Sequence, residues 1–446
     1  MFGLSKFAVA LAAAVSIVPQ AIAAPTELHP GNASNLIIDA QDTINGTIQG
    51  TAMAASATAA SSNETLTLTV TNNIGSGVNC YVVGSDPDGG APMILKPDFT
   101  WYYPSAPTTD IGVPQEITED LAIPVSDSGE TTITVPSYVN SARVWFAVGE
   151  LKFYTVTSAD GGFSVVQPSQ SNPEDPSAGI NWGFVEFSWL SATGVYANVS
   201  YVDFVGLPLG LSLTNTTGGV QTALGLEADA VSKVCDDLTA QAAVDGYPWD
   251  ALCQSINGTV MRVLAPYDFM KANSSSGFED YFTDYVNEVW SNFTDTPLTI
   301  DTQNTPGNVT CTVSGDILGC AGDNVNYTKP STEDIFGCST GPFVTSPSDT
   351  KVHQAAVPRL CAAFNRATFL LDGGNVQPSL PESDYYTTLP NNYYSKVVHK
   401  YEVDGKGYAF SYDDVNPSGS DENASGEVSS LKPKVLAITV GGPSSA

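Results

Sequence analysis

The stretch WGFVEFSWLSATGVYANVSYVDFVG, residues 182–206, decides how the rest of the chain is interpreted. Both of its halves are rich in Phe, Tyr, Trp and Val, which favour strands, and Ser191–Gly194 between them has the composition of a turn. The pattern predicts a β-hairpin with one carboxylate in each half, Glu186 and Asp203. An acid within an apolar run is costly to bury unless it is partnered or lies in a cleft that uses a shifted pKa. These two acids are therefore the first candidates for a functional site.

A pair of carboxylates on neighbouring strands suits the hydrolysis of glycosidic bonds. One acid protonates the departing oxygen while the other acts as base or nucleophile. Trp182 and Trp189 flank Glu186, and their indole faces are candidates for stacking on sugar rings, with core packing as the alternative. Because the chain has 47 Asp and Glu residues, other pairs also look suggestive, and the interpretation needs support from the rest of the sequence.

The composition bounds the class of protein and its partners. A chain of 446 residues with 42% apolar and 10% aromatic residues is long enough for two domains with packed cores. A net charge of −31 makes nucleic acid and anionic lipid poor partners, whereas a neutral polysaccharide is not repelled. Residues 1–23 combine Lys6, an apolar run and Ala-Ile-Ala, which predicts a secretory signal peptide. We therefore expect a secreted monomer, extracellular or associated with a cell wall, and no membrane span.

Cysteines and N-x-Ser/Thr sequons agree with secretion. Three disulfides are expected among Cys235, Cys253, Cys311, Cys320, Cys338 and Cys361, and nearest-neighbour pairing is the simplest of fifteen connectivities. Cys80 is left over, as a buried free thiol or as a reactive or intermolecular one. The candidate glycosylation sites are Asn32, Asn45, Asn63, Asn215, Asn257, Asn273, Asn292, Asn308, Asn326 and Asn423. Asn198 also begins a sequon, but it lies inside the opening stretch.

The pattern along the chain predicts a β-sandwich or barrel domain, residues 66–217 and 378–442, interrupted by a mixed α/β domain, residues 218–377. Residues 24–65 form a Ser/Thr/Ala-rich leader before the core. The expected helices cover residues 226–244, 278–293 and 354–371. The expected strands cover residues 66–72, 80–83, 131–136, 142–148, 153–156, 298–301, 309–313, 316–318, 394–402, 407–412 and 435–440.

Other chemical motifs are weak. Gly337–Gly341 fits the G-x-S-x-G nucleophile elbow, with His399 later in the chain, but Pro342 follows and Cys338 is a disulfide candidate. No metal site is predicted, because the three histidines are scattered and no C-x-x-C pair occurs. His29 and His353 are interpreted as surface residues. Asp413-Asp414 is interpreted as a turn or a structural hydrogen-bonding pair, with a role in a cleft as the alternative.

Six motifs taken together resemble fungal members of glycoside hydrolase family 64, the β-1,3-glucanases related to thaumatin-like proteins. They are WGFVEFSW, YANVSYVDFVGLPL, IDTQ, STEDIFGCSTGPF, PRLCAAFNRATFL and GKGYAFSYDDV, in unbroken order between Leu66 and Gly442. The resemblance implies a thaumatin-like β domain joined to a mixed α/β domain, with a wide cleft between them for a β-1,3-glucan chain. It also implies an inverting mechanism without metal or cofactor.

The resemblance also implies roles for individual residues. Glu186 corresponds to the family's general acid and Asp203 to its general base, while Ser188 and Ser200 match positions that contact substrate. We hypothesise that apolar neighbours keep Glu186 protonated while Asp203 stays ionised. The rival from another class is a non-catalytic thaumatin-like protein that binds glucan in a wall.

Inversion places a condition on the hairpin, because the two carboxyl groups must lie about 6.5–9.5 Å apart. A tight turn at Ala192-Thr193 would pair Glu186 near Val199 and leave Asp203 roughly 13 Å further along the strand. The sequence therefore predicts either a wider loop from Trp189 to Asn198 or a bulge, since bulges are common beside active sites.

Overall fold

The computed structural model describes residues 24–38, 42–44, 64–159, 161–420, 422 and 424–443. The predicted signal peptide and the sequons at Asn45, Asn63 and Asn423 lie outside these residues. Within the described part of the chain, no helix is long and apolar enough to cross a membrane.

Strands dominate the described residues. In chain order they are β1 (Thr26–Glu27), β2 (Leu66–Asn72), β3 (Val78–Ser85), β4 (Pro92–Leu95), β5 (Trp101–Tyr102), β6 (Gln115–Glu116), β7 (Ile123–Pro124), β8 (Glu130–Val135), β9 (Val139–Val148), β10 (Tyr154–Thr157), β11 (Phe163–Val166), β12 (Asn181–Leu190), β13 (Gly194–Val199), β14 (Phe204–Val205), β15 (Leu209–Asn215), β16 (Val220–Ala223), β17 (Cys253–Ile256), β18 (Thr259–Leu264), β19 (Leu298–Asp301), β20 (Asn308–Ser314), β21 (Ile317–Cys320), β22 (Val376–Gln377), β23 (Val428–Ser430) and β24 (Pro433–Val440).

Helices are confined to the second half of the described chain. The α-helices are α1 (Ala230–Asp245), α2 (Pro266–Ala272), α3 (Thr283–Asp295), α4 (Thr332–Gly337), α5 (Lys351–Asn365) and α6 (Tyr393–Tyr401). Short 3-10 turns cover Ala33–Asn35, Trp249–Leu252, Gly341–Phe343 and Glu382–Asp384. The protein is therefore mainly β with several sheets, as predicted, and the finer division into a β domain and an inserted domain stays a prediction.

The largest sheet has eight strands in the order β23-β13-β12-β9-β3-β4-β5, with β7 added to β3. A five-stranded sheet, β16-β15-β24-β2-β8, contains strands from both ends of the described chain. In β2 the residues Leu66, Leu68 and Val70 are buried and alternate with Thr, so one face of that strand joins the core. The C-terminal strand β24 lies between β15 and β2, so it completes a sheet whose other strands come from residues 66–223.

Strand β12 has two chemically different faces. Val185, Phe187 and Trp189 are buried in the main hydrophobic core. Glu186 and Ser188, between them, are only half-buried, because successive side chains of a strand point to opposite faces. One side of the sheet therefore supports the core, and the other presents polar groups from its central strands.

The hairpin made by β12 and β13 has a tight turn. Leu190 pairs with Gly194, and Glu186 lies opposite Asn198. The predicted wider loop from Trp189 to Asn198 is therefore wrong. A register shift does occur in β12, between Phe187 and Trp189, but it affects pairing with β9 and leaves the pairing with β13 regular.

Two predicted strands near the C-terminus are also wrong. Residues 394–402 form most of α6, which Asn392 caps by accepting a hydrogen bond from the Ser395 backbone N–H. Residues 407–412 contribute only an isolated bridge, in which Tyr408 meets Ser200. Both stretches are rich in Tyr, Val and Phe, whose strand propensity yields to tertiary packing here.

The cysteines follow the simplest connectivity. Cys235–Cys253, Cys311–Cys320 and Cys338–Cys361 are bonded, so the six cysteines pair two by two in the order in which they occur along the chain. Cys80 is free and completely buried in the core, and burial raises the pKa of its thiol. It is an inert core residue.

Candidate active site

Glu186 projects from the polar face of the eight-stranded sheet. Pairing sets Arg143 of β9 on one side of it and Asn198 of β13 on the other. Its side chain is 36% exposed, so water and ligands reach the carboxylate.

Asp203 reaches the same place because the chain bends sharply after β13. The Tyr201 backbone N–H donates to the Tyr408 carbonyl at 2.7 Å, and the Tyr394 hydroxyl donates to the Tyr201 carbonyl at 2.6 Å. The Asp203 carbonyl then accepts a hydrogen bond from the Ala265 N–H at 2.8 Å, at the start of α2. The Asp203 side chain is left 27% exposed.

The chain can fold back so tightly because Gly206 has no side chain. A Cβ at this position would lie 2.4 Å from the Trp182 carbonyl oxygen. The neighbouring Leu207 N–H donates to that same oxygen at 3.0 Å. The bend, and not the hairpin loop, therefore brings the second acid toward the first.

Arg143 joins the two carboxylates. Its Nε lies 3.2 Å from Glu186 Oε1, and its Nη2 lies 3.8 Å from Asp203 Oδ2. Because both nitrogens belong to one rigid guanidinium, the two carboxylate oxygens are at most about 9 Å apart. The Arg143 guanidinium also lies over the Phe184 ring, 4.2 Å from its centre, which fixes the plane of the cation.

Arg143 was not among the sequence candidates. Two signals were available: the chain has only 16 Lys and Arg residues, and this one interrupts an apolar strand. The pairing of β9 with β12, which sets it against Glu186, is a long-range contact that no local pattern reveals.

The electrostatics differ from the hypothesis made on the sequence. Desolvation raises the pKa of Asp203, the negative charge of Glu186 raises it further, and Arg143 and Lys271 oppose the rise. Glu186 faces Arg143 and an open groove and not a wall of apolar side chains. Apolar surroundings of Glu186 therefore do not explain why one acid would carry a proton while the other is ionised.

A groove of about 510 Å³ runs over this face of the sheet. Polar side chains from three adjacent strands line it: Ser141 and Arg143 of β9, Glu186 and Ser188 of β12, and Tyr196 and Asn198 of β13. Tyr196 is 48% exposed and offers an aromatic face that the sequence interpretation had not assigned. The groove thus combines acids, hydroxyls, an amide and an aromatic ring, the groups that bind sugars.

The predicted substrate-contacting residues divide into two groups. Ser188 lies in the groove, where its Oγ accepts a hydrogen bond from the Ser141 N–H at 2.9 Å, and Ser200 is half-buried at the bend. Trp182 and Trp189 are only 1% and 3% exposed. The prediction that these two indoles stack on sugar is corrected: the core needs their apolar surface, and Tyr196 offers an exposed aromatic ring on the groove instead.

The competing motifs do not form sites. Ser339 of the elbow motif is exposed after α4, beside the Cys338–Cys361 disulfide, with a helix and no strand before it. His353 is fully buried against Asp323 and Tyr327, so its assignment to the surface is wrong. Among the described residues, no cluster of three or more His, Cys, Asp or Glu side chains is arranged to hold a metal.

Comparison with known proteins points to one family. The chain is 27% identical over 384 residues to a glucan endo-1,3-β-glucosidase of Cellulosimicrobium cellulans and to another of Arthrobacter sp. (strain YCWD3). The match covers 83% of this chain, and the chain spans only 64% of the length of these curated relatives.

Solved structures agree. The fold resembles a laminaripentaose-producing β-1,3-glucanase solved with laminaritetraose, with a TM-score of 0.71 and 26% identity over 84% of this chain and 98% of that one. A β-1,3-glucanase domain from Clostridium beijerinckii has the same fold, with a TM-score of 0.66 and 23% identity over 84% of this chain and 98% of that one. The family model described as β-1,3-glucanase matches residues 64–440, which confirms the resemblance seen in the sequence: the chain belongs to glycoside hydrolase family 64.

Proposed function

We propose that this protein is a secreted endo-β-1,3-glucanase that cleaves β-1,3-glucan into short oligosaccharides by an inverting mechanism. The observation that carries the proposal is that Arg143 holds Glu186 and Asp203 together beside a polar groove, in a chain of family 64. The neutral glucan is compatible with the acidic protein, and the family relatives bear the name of the same activity.

In the proposed reaction Glu186 donates its proton to the glycosidic oxygen as the bond from that oxygen to C1 breaks. Asp203 accepts a proton from a water molecule whose oxygen bonds to C1 on the opposite face of the ring. Proton exchange with solvent then returns both acids to their starting states. The upper limit of about 9 Å between their oxygens is compatible with the separation of about 6.5–9.5 Å that inversion requires.

Desolvation raises the pKa of Asp203, and this bears on its proposed role as base. A carboxylate with a raised pKa is a stronger base, provided that the working pH lies above that pKa. Arg143 offsets part of the rise and so keeps Asp203 ionised to lower pH. We assign Arg143 as a positioning residue that holds both acids and sets the charge state of the base.

Two substrates separate the roles of the acids. We expect Glu186→Gln to lose activity on laminarin but to keep much of it on an aryl β-laminarioligosaccharide, whose leaving group departs without a proton. Asp203→Asn is expected to be inactive on both, because water still needs a base. The assignment would be contradicted if either variant kept the wild-type rate. It would also be contradicted if the aryl substrate restored activity to Asp203→Asn and not to Glu186→Gln.

The non-catalytic alternative has its own test. It would be favoured if the wild-type protein bound insoluble glucan without releasing sugar.

Secretion is proposed from the pattern of residues 1–23. Six of the described sequon asparagines are exposed, which suits glycosylation: Asn32, Asn257, Asn273, Asn292, Asn308 and Asn326. Asn215 is half-buried and accepts a hydrogen bond from the Thr217 N–H at 3.0 Å. N-terminal sequencing of protein recovered from the culture medium tests the signal peptide, and a chain that begins after Ala23 or Ala24 is expected.

A further inference from the structure

The segment Asp42–Ile44 lies before the part of the chain that matches the family, yet it is built into the protein. Asp42, Thr43 and Ile44 are 2%, 3% and 4% exposed. The Gln167 N–H donates to the Asp42 carbonyl at 2.7 Å, and Thr43 forms a β-bridge with Val166 at the end of β11. The predicted leader, residues 24–65, therefore contributes at least one segment to the folded protein.

This segment also borders the groove. Thr43, Ile44 and Gln167 line the same cavity as Arg143 and Glu186. Ile44 belongs to the main hydrophobic core. The segment is consequently a fixed wall, since moving it away would expose a buried isoleucine and break its bonds to β11.

The position of β11 shows which end of the groove the wall occupies. β11 pairs with β10, and Phe153 immediately precedes β10 in the chain. The centre of the Phe153 ring lies 5.3 Å from the centre of the Tyr81 ring on β3, so β10 and β11 lie on the β3 side of the sheet. In the eight-stranded sheet β3 lies beyond β9, on the side away from β13. At the opposite end the groove is lined by Glu427, which immediately precedes β23.

The groove therefore runs across the strands, from Glu427 at one end to the wall Asp42–Ile44 at the other. The three strands that line it, β9, β12 and β13, span two strand spacings, which is about 10 Å. We propose that Asp42–Ile44 closes the β11 end of the groove and so fixes how many glucosyl units lie between that end and the bond that is cleaved. The inference rests on the proposed function and adds a determinant of product length that lies outside residues 64–440.

The test is the cleavage pattern of laminariheptaose labelled at its reducing end, with products sized by chromatography. Ile44→Ala shortens the wall, so we expect cleavage to shift by at least one glucosyl unit, with the ratio of the new to the original position rising about tenfold. Thr43→Tyr extends the wall into the groove and is expected to shift cleavage in the opposite direction. Leu28→Ala is the control, because Leu28 is 2% exposed in the same N-terminal part of the chain but bonds to Ser255, away from the groove.

Thermal unfolding establishes that each variant is folded. If Ile44→Ala does not fold, the Thr43→Tyr pattern decides. The inference about the wall is overturned if a folded wall variant keeps the wild-type cleavage pattern, or if the cleavage pattern of Leu28→Ala shifts equally. Either result leaves the proposed activity intact. A wild-type protein that does not cleave the heptasaccharide overturns the proposed function instead.

Discussion

Two groups of charged residues in this protein differ in how far their side chains are exposed to solvent. Beside the groove, Glu186 and Asp203 both lie close to the guanidinium of Arg143, and all three side chains are 21–36% exposed. In the second group, His399 lies between two carboxylates: its Nδ1 is 2.7 Å from Glu402 Oε2, and its Nε2 is 3.3 Å from Asp413 Oδ2. Asp413 Oδ1 also lies 3.3 Å from Arg366 Nη2. The carboxylates of this second group, which we call the buried cluster, have no exposed side-chain surface.

The difference shows what each group can do. Buried charges must be neutralised by partners at close range, so removing one partner from the buried cluster is expected to destabilise the fold. Asp413 Oδ2 accepts hydrogen bonds from the Ala409 and Phe410 N–H groups, and so orders the segment whose Tyr408 carbonyl anchors Tyr201 near Asp203. The groove acids remain accessible and share one cation, which leaves them free to exchange protons with a substrate.

The largest expected effect is on catalysis and comes from the groove. Glu186→Gln and Asp203→Asn should each lower kcat on laminarin by about 10²–10⁴-fold, because each removes a proton-transfer step. The melting temperature should change little, since both side chains are partly exposed. Assays of laminarin hydrolysis together with calorimetry test the contrast, and a large loss of stability with either variant would show that these acids serve the fold as well.

The buried cluster should respond in the reverse way. Asp413→Ala leaves the buried Arg366 without its carboxylate partner and leaves His399 with Glu402 alone, so we expect it to lower the free energy of unfolding by about 3–5 kcal/mol. Asp372→Ala is the control, because Asp372 is an exposed carboxylate outside the buried cluster, and a change within about 0.5 kcal/mol is expected. Chemical denaturation measures both, and equal effects would remove the distinction between the two groups.

The pH dependence of stability sharpens the same contrast. Burial raises the pKa of Glu402 to about 7, and the carboxylates Glu402 and Asp413 hold the pKa of His399 well above its ordinary value despite desolvation. Both groups bind more protons in the folded state than in the unfolded state, so stability should fall as the pH rises above the unfolded pKa of each. Glu402→Gln should flatten this fall in denaturation midpoints measured between about pH 5 and 8, because it removes one of the two groups and a charge that raises the pKa of the other. A wild-type midpoint that rises over this range would contradict the assignment.

Removing the shared cation should alter the pH profile of activity. Arg143→Gln deletes a positive charge that lowers the pKa of Asp203, so the pKa of the base rises and the acid limb of the kcat/KM profile should move to higher pH. Arg143→Lys keeps the charge and should shift the limb less. Profiles on laminarin measure this, and an acid limb that stays in place in Arg143→Gln would show that Arg143 does not tune the base.

The smallest expected effect concerns Asn198, whose sequon lies in the groove. Its Oδ1 is buried and has no hydrogen-bond partner among the described residues, and the residue lines the cavity beside Glu186. A glycan there would fill the groove, so we expect peptide mapping of the secreted protein to find Asn198 unmodified and Asn257 or Asn292 glycosylated. A glycan on Asn198 in active protein would show that the substrate does not occupy this part of the groove.

The sequence predicted some parts of the molecule well, for physical reasons. The strands at 66–72 and 298–301 coincide with β2 and β19, because alternating apolar residues define a half-buried strand locally. Helix α6 was missed because Tyr and Val favour strands, whereas the Asn392 cap and the packing of Val397 and Val398 favour a helix.

The site was predictable only in part. Glu186 and Asp203 stood out by their motif, but the bend that brings Asp203 close depends on Tyr408 and Tyr394, roughly two hundred residues later. Arg143 and the wall at Asp42–Ile44 depend on pairings with β12 and β11 that no local pattern encodes. The buried cluster was likewise hidden, because its members come from three separate parts of the chain: Arg366, the pair His399 and Glu402, and Asp413.

The anomeric form of the first product tests the proposed mechanism most directly. Proton NMR during the first minutes of hydrolysis of a β-1,3-glucan by the wild-type protein distinguishes the two anomers before they equilibrate. If Asp203 activates water while Glu186 protonates the departing oxygen, the α-anomer of the new reducing end appears first. Initial release of the β-anomer would contradict inversion and the assignment of Asp203 as a general base.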